Sequence, residues 1–112
     1  MQDEQAIRAR LQAERAALEQ MSEGAAELRA PVKLDQQSVG RLSRMDSLQV
    51  QAMALATEER RRQQIARIDA ALKRLDEGSY GECVICGEAI APKRLELDPA
   101  VPTCITCAAR TR

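Results

Sequence analysis

The chain of 112 residues contains no histidine, tryptophan or phenylalanine, and its single aromatic residue is Tyr80. Without histidine, histidine-based catalysis and mixed cysteine–histidine metal sites are excluded. A core without large aromatic side chains must be built from Ala, Leu, Ile, Val and Met, which supply little bulk per residue. This composition favours thin helix–helix packing over a globular interior.

The chain also lacks a surplus of charge of either sign, because 17 basic residues balance 17 acidic ones. We therefore do not expect sequence-specific DNA binding or a nucleic acid held by bulk electrostatics. No apolar run approaches the roughly 20 residues that span a bilayer, so no membrane association is expected. Residues 1–5 are polar and do not resemble a signal peptide. Reduced cysteines and a cytoplasmic location are the expected consequence.

A first helix is predicted from about Asp3 to Arg29, where good helix formers predominate. Its apolar residues recur at spacings of three, four and seven, which is typical of a coiled-coil seam. These residues are Ile7, Leu11, Leu18, Met21, Ala25 and Leu28. Pro31 is predicted to end the helix and to open a turn region.

A second helix is predicted to begin within Ser38–Ser43 and to reach about Glu77, ahead of Gly78. A wholly polar stretch, residues 58–64, interrupts its seam and is interpreted as a solvated face with ion pairs one helical turn apart. The apolar residues on either side of that stretch are Met45, Leu48, Ala52, Leu55, Ile65, Ile68, Leu72 and Leu75. Two helices of similar length joined by a short turn are expected to pack antiparallel.

The cysteines follow a C-x2-C pattern, then 17 residues, then a second C-x2-C pattern. Two such pairs at this separation are typical of a zinc site with four thiolate ligands. The predicted ligands of one structural zinc ion are Cys83, Cys86, Cys104 and Cys107. Since four protein ligands leave no open position, we expect a structural metal and no enzymatic activity.

The cysteine pattern has two other interpretations, disulfides and a redox motif. Disulfides would require an exported protein, and a redox C-x2-C motif would require a βαβ context that the pattern does not show. The predicted fold class is therefore mainly α: an antiparallel helical hairpin, or coiled coil, over residues 1–79 with its tip at about 31–44. A four-cysteine zinc finger with a short terminal helix from about Cys104 is predicted over residues 80–112.

The finger resembles the DksA/TraR family of bacterial C4 zinc-finger proteins. The resemblance is carried by Tyr80-Gly81-Glu82-Cys83-Val84-Ile85-Cys86-Gly87-Glu88-Ala89-Ile90, by Arg94-Leu95, by Pro99 and by Cys104-Ile105-Thr106-Cys107-Ala108. The preceding helix, residues 65–72, is also similar. The resemblance covers about residues 60–109, and the hairpin before them agrees in architecture more than in sequence.

The resemblance implies a transcription regulator that binds RNA polymerase and directs its coiled-coil tip through the secondary channel toward the active centre. The family's tip carries paired acids in a D-x-x-D-x-A pattern. At those positions this chain has Gly40, Ser43 and Met45, or, in another placement, Asp35, Ser38 and Gly40. Both placements lose the paired acids.

Candidate partner-binding residues follow from this placement. At the tip they are Asp35, Ser38, Arg41, Ser43, Arg44 and Asp46, and on the finger they are Lys93 and Arg94. Arg94 is equally suited to bracing the finger. Asp98 stands just before Pro99, where the resemblance leads us to expect a basic residue in members that respond to guanosine tetraphosphate.

The alternative function is a zinc-stapled coiled-coil adaptor that binds another protein and has no direct effect on transcription. The altered tip favours this alternative. A monomer is favoured, although pairing through the polar-interrupted seam stays open.

Overall fold

The structure, a computed structural model, describes residues 3–30 and 41–110, and the side chains of residues 45–110 in the second range. Its helices are α1 (Glu4–Gly24), α2 (Ala26–Arg29), α3 (Arg41–Glu77), α4 (Pro92–Leu97) and α5 (Ile105–Arg110). An isolated antiparallel bridge joins Glu82 to Ala89. The prediction of a mainly helical chain is confirmed. Within the described ranges, no helix is long and apolar enough to cross a membrane.

The prediction of one continuous first helix is wrong in one respect, because the helix is broken at Ala25. Helix α1 ends at Gly24, and Ala25 adopts φ −100° and ψ 7° before α2 begins. Glycine has the lowest helix propensity after proline, so Gly24 is a weak point in the helix. Ala30 is extended, with φ −63° and ψ 150°, which is the conformation expected of a residue that precedes proline.

The predicted bounds of the second helix are confirmed, since α3 begins at Arg41 and ends at Glu77. Gly78 has φ 80°, and its N–H donates to the carbonyl of Leu75 over 3.3 Å. The Ser79 N–H donates to the carbonyl of Arg74 over 2.9 Å. This is a Schellman motif, in which a glycine in the left-handed region satisfies the last carbonyls of a helix.

The chain forms two compact units. The first unit comprises Met1–Ala16 and Gln64–Arg112. In it, ion pairs join Arg8 to Asp76 over 2.8 Å and Arg15 to Asp69 over 2.7 Å. Because one residue number falls as the other rises, these segments of α1 and α3 run antiparallel. The predicted division of the chain between residues 79 and 80 stays a prediction.

The first unit has an apolar core between its helices. Five of its helical residues are buried, namely Ile7, Leu11, Ile68, Ala71 and Leu75. Four of these belong to the predicted seams, and Leu11 is fully buried. The coiled-coil pattern therefore marks a real packing face in this unit.

The second unit, Ala17–Gln63, also pairs antiparallel segments, but its seam residues are not buried. The side-chain amide of Gln51 donates to the carbonyl of Ala30 over 2.8 Å, and Ser22 contacts Glu58. The seam residues Met21, Leu28, Met45, Leu48 and Leu55 are all at least half exposed.

Among the described residues of the second unit, Glu58 is a buried polar residue, which corrects the prediction of a fully solvated polar face. The residue is 7% exposed, and its carboxylate accepts a hydrogen bond from Ser22 Oγ, which is 2.8 Å from Oε2. Arg29 Nη1 lies 2.8 Å and Arg61 Nη1 lies 3.5 Å from the same oxygen. The hydrogen bond from Ser22, aided by Arg29 and the other arginines and opposed by burial, lowers the pKa of Glu58 below its ordinary value of 4.5.

Replacing Leu11 with Ala is expected to destabilise the protein by about 2–5 kcal/mol, because it leaves a cavity in a core with few large side chains. Unfolding of the zinc-loaded protein in urea measures this change. The control is Leu97→Ala, since the Leu97 side chain is 86% exposed and its loss should change stability little. Equal effects of the two substitutions would contradict the assignment of the core.

Replacing Glu58 with Gln is expected to lower the stability of the second unit at pH 7. A carboxylate whose pKa is lowered by folding stabilises the folded state above its unfolded pKa, and that contribution is lost as the pH falls through the folded value. The difference between wild type and variant should therefore shrink below about pH 4. Backbone hydrogen exchange around residues 51–62 measures this difference in stability. The exposed neighbour Glu59, changed to Gln, controls for net charge, and a pH-independent difference would contradict the prediction.

Candidate metal centre

The first cysteine pair lies on a tight antiparallel turn. The Cys83 N–H donates to the carbonyl of Glu88 and the Ile90 N–H donates to the carbonyl of Gly81, both over 2.8 Å. Gly87 has φ 77°, and its N–H donates to the carbonyl of Cys83 over 2.9 Å. This left-handed conformation favours glycine, and it lets the chain reverse directly after the second ligand.

The second cysteine pair lies where the chain enters α5. The Ala108 N–H donates to the carbonyl of Cys104 over 3.0 Å, and the Cys107 N–H points at Cys104 Sγ over 3.5 Å. One helical turn thus places both sulfurs on the same side of the chain.

The four cysteines converge on one point. Their Sγ atoms all lie within 4.8 Å of one another, and Cys86 Sγ lies 3.8 Å from Cys104 Sγ. Four sulfurs held about 2.3 Å from one zinc ion at tetrahedral angles lie about 3.8 Å apart. The spacing of the thiols therefore fits a single tetrahedral zinc ion.

The electrostatics of the cluster also favour a cation. Hydrogen bonds from the backbone at Cys86 and Cys104, with a smaller one from Ile85, lower the pKa of the Cys83 thiol to about 6. In contrast, the hydrogen bond with the Cys104 side chain, together with burial, raises the pKa of Cys107 to about 12. Four neighbouring thiolates repel one another, so a divalent ion is needed for all four to ionise together.

The finger has a small core that includes its own ligands. Cys83 and Cys107 are buried with Ile90 and Val101, and Leu95 packs against them. Cys86, in contrast, is exposed. Because half of the buried residues in this cluster are ligands, metal binding and folding of the finger must be coupled.

Side chains from α1, from α3 and from Tyr80 hold the end of α4 and the two residues that follow it. Arg10 Nη1 donates to the carbonyl of Glu96 over 2.7 Å, and the Tyr80 hydroxyl donates to the carbonyl of Pro99 over 2.8 Å. Arg67 forms an ion pair with Asp98 over 2.7 Å. We name Glu96–Pro99 the clamped segment, since α1, α3 and Tyr80 all contribute a partner to it.

Helix α4 was not predicted from the sequence. It begins with Pro92 at its first position, where the fixed φ and missing N–H of proline are favourable. This signal was present in the sequence, but a six-residue helix is too short to show a periodic apolar pattern.

The candidate partner-binding residues differ from one another in position and exposure. Asp35 and Ser38 lie outside the described residues. Arg41, Ser43 and Arg44 belong to the start of α3, and the exposed Asp46 follows them. On α4, Lys93 is exposed, whereas Arg94 is half-buried and donates from Nε to the carbonyl of Thr103 over 2.9 Å.

Comparison with known proteins agrees with this geometry. Residues 78–111 match the prokaryotic dksA/traR C4-type zinc finger. The structure of transcription factor DksA2 from Pseudomonas aeruginosa is similar over 96% of this chain and 81% of its own, with a TM-score of 0.76 and 28% sequence identity.

Three curated relatives are each named RNA polymerase-binding transcription factor DksA. The chain is 39% identical to the one from Haemophilus influenzae over 50% of its own length and 39% of the relative's. It is 48% identical to the one from Caulobacter vibrioides over 43% of its own length and 34% of the relative's. It is 34% identical to the one from Escherichia coli over 50% of its own length and 37% of the relative's. The matches thus span less than half of each relative.

A four-cysteine finger beside antiparallel helices defines a C4 zinc-finger protein with a helical stem. Residues 78–111 form a finger of the DksA/TraR family, and the fold of the chain as a whole is similar to that of DksA2. The cofactor of this class is one structural zinc ion, which supplies the tetrahedral link between the two cysteine pairs.

Removing zinc with a chelator, or replacing Cys86 with Ser, is expected to abolish stoichiometric zinc binding and to unfold the finger. Metal analysis should give one zinc ion per wild-type chain. Backbone hydrogen exchange should show protection lost over residues 81–107 and kept in the second unit. The exposed Thr106, changed to Ala between two ligands, is the matched control. A finger that stays protected without metal would contradict this prediction.

Proposed function

We propose that the protein is a transcription regulator that binds RNA polymerase, with its helical tip directed through the secondary channel toward the active centre. The similarity to DksA2 over 96% of the chain carries this proposal. The names of the curated relatives support the choice of partner. We propose the cytoplasm as its place of action, because that is where a bacterial polymerase is found.

The zinc finger suits the role of the docking end. Its chain is fixed by the metal and by the bonds to the clamped segment, so its surface is ordered before a partner arrives. Little conformational entropy is then lost on binding. The exposed ammonium of Lys93 is the proposed contact on the finger, where it offers a point charge to a carboxylate of the partner.

The tip is proposed to act by a different charge pattern from the family's. Asp35 and Asp46 are the only acids between Pro31 and Leu55, and Arg41 and Arg44 lie between them. A more basic tip near catalytic carboxylates and metal ions would alter the local field with the opposite sign. Its effect on initiation should therefore differ from that of a tip with paired acids.

The role is proposed to be non-enzymatic. The four thiols that converge are all engaged as zinc ligands, which leaves no open coordination position for a substrate. The proposed effect on transcription arises from occupying the polymerase.

An adaptor function is the second candidate. In the second unit, the apolar side chains of Met21, Leu28, Leu48 and Leu55 are at least half exposed. Exposed apolar side chains on paired helices suit contact with another protein. An adaptor would use this surface and would not require the polymerase.

The first test is competition on core RNA polymerase. The zinc-loaded protein is titrated against a labelled factor that occupies the secondary channel. Displacement at micromolar concentration or below is expected, and Cys83→Ser should abolish it by unfolding the finger. No displacement by folded, zinc-loaded protein would overturn the polymerase proposal in favour of the adaptor.

The tip is tested on the same complex with the combined variant Asp35→Ala, Ser43→Ala and Asp46→Ala. We expect displacement to change less than threefold while the effect on transcription in vitro changes. The matched control, which also removes two carboxylates, is the combined variant Glu23→Ala and Glu27→Ala on the first helices. An identical transcriptional effect of the tip variant and wild type would contradict a role for these tip residues.

A further inference from the structure

We propose that Arg94 is a positioning residue of the zinc site, which fixes the main chain directly before Cys104. The half-buried guanidinium donates from Nε to the carbonyl of Thr103 over 2.9 Å. Thr103 is bonded to Cys104, so the orientation of its peptide group sets the direction in which the Cys104 side chain leaves the chain.

The main chain of Arg94 is itself held in place. The Arg94 backbone N–H donates to the carbonyl of Ala91 over 3.0 Å, and the Arg94 carbonyl accepts a hydrogen bond from the Asp98 N–H over 3.0 Å. The next residue, Leu95, packs against the buried cluster that includes two of the ligands. The guanidinium thus projects from a short helix that the finger core already anchors.

The chain before Cys104 is secured at two successive carbonyls. The Val84 N–H, from the first cysteine pair, donates to the carbonyl of Pro102 over 2.9 Å. Arg94 then takes the carbonyl of Thr103. In the described part of the chain, these two bonds tie the approach to the second pair both to the first pair and to α4.

Arginine has chemical properties that suit this role. Its Nε–H lies in a rigid plane, and its charge persists at every physiological pH. Lysine would keep the charge, but its mobile ammonium would not reproduce the fixed direction of the Nε–H donor.

Lys93 gives a matched comparison on the same helix. It is exposed, and the structure shows no hydrogen bond or ion pair from its ammonium within the described residues. The two adjacent cations therefore have different roles: Arg94 supports the metal site, while Lys93 remains available to a partner.

Zinc affinity tests this proposal without polymerase, so its outcome is independent of the proposed function. Wild type, Arg94→Ala, Arg94→Lys and Lys93→Ala compete for zinc with a chromophoric chelator. Loss of residues that support metal ligands typically weakens binding by 10–100-fold. We expect about tenfold for Arg94→Ala, a smaller loss for Arg94→Lys, and no change for Lys93→Ala.

Cobalt substitution separates positioning from a general loss of stability. At saturating cobalt, a displaced Cys104 thiolate distorts the tetrahedron, so the visible bands of Arg94→Ala should shift while those of Lys93→Ala match wild type. If Arg94→Ala does not fold, Arg94→Lys decides by the same two measurements. Wild-type affinity and bands in the deciding variant would overturn the proposal, as would an equal loss of affinity in Lys93→Ala.

Discussion

The bond between four thiolates and one zinc ion is the constraint on which the finger depends. The buried cluster of the finger contains Ile90 and Val101 beside two of the ligands, so little apolar surface is removed from water when this region folds. A core of that size does not offset the conformational entropy of ordering some thirty residues. The metal closes the gap, because it links two chain segments that are separated by 17 residues.

The folded finger is linked to the rest of the first unit by hydrogen bonds to its main-chain carbonyls. The clamped segment comprises the last two residues of α4 and the two that follow, and its carbonyls at Glu96 and Pro99 accept hydrogen bonds from Arg10 and Tyr80. These acceptors have fixed positions only when the finger is folded. Arg10 and Tyr80 therefore gain partners when the zinc site folds, although neither is a zinc ligand.

Local sequence signals predicted one part of this structure and could not predict the other. The spacing of the cysteines indicated the metal site, and Gly78 marked the end of α3, because both features act over a few residues of chain. The burial of Glu58 depends on Ser22, which lies 36 residues away, whereas the sequence had already offered Arg94 as a residue that braces the finger and lacked only its acceptor, the carbonyl of Thr103. A charged residue in a helical pattern is ordinarily solvated, so only the folded partner shows the exception.

Glu58 also explains why the second unit can pair its helices with so little apolar burial. Its carboxylate is satisfied by Ser22 and Arg29 in one alignment of the two segments. A slip by one helical turn would separate the carboxylate from Ser22 and Arg29 and leave it with Arg61, on its own helix, which is unfavourable for a buried charge. The half-exposed apolar residues around it contribute attraction with little directional preference. In this unit, then, the charged cluster selects the alignment that the apolar seam alone leaves weakly defined.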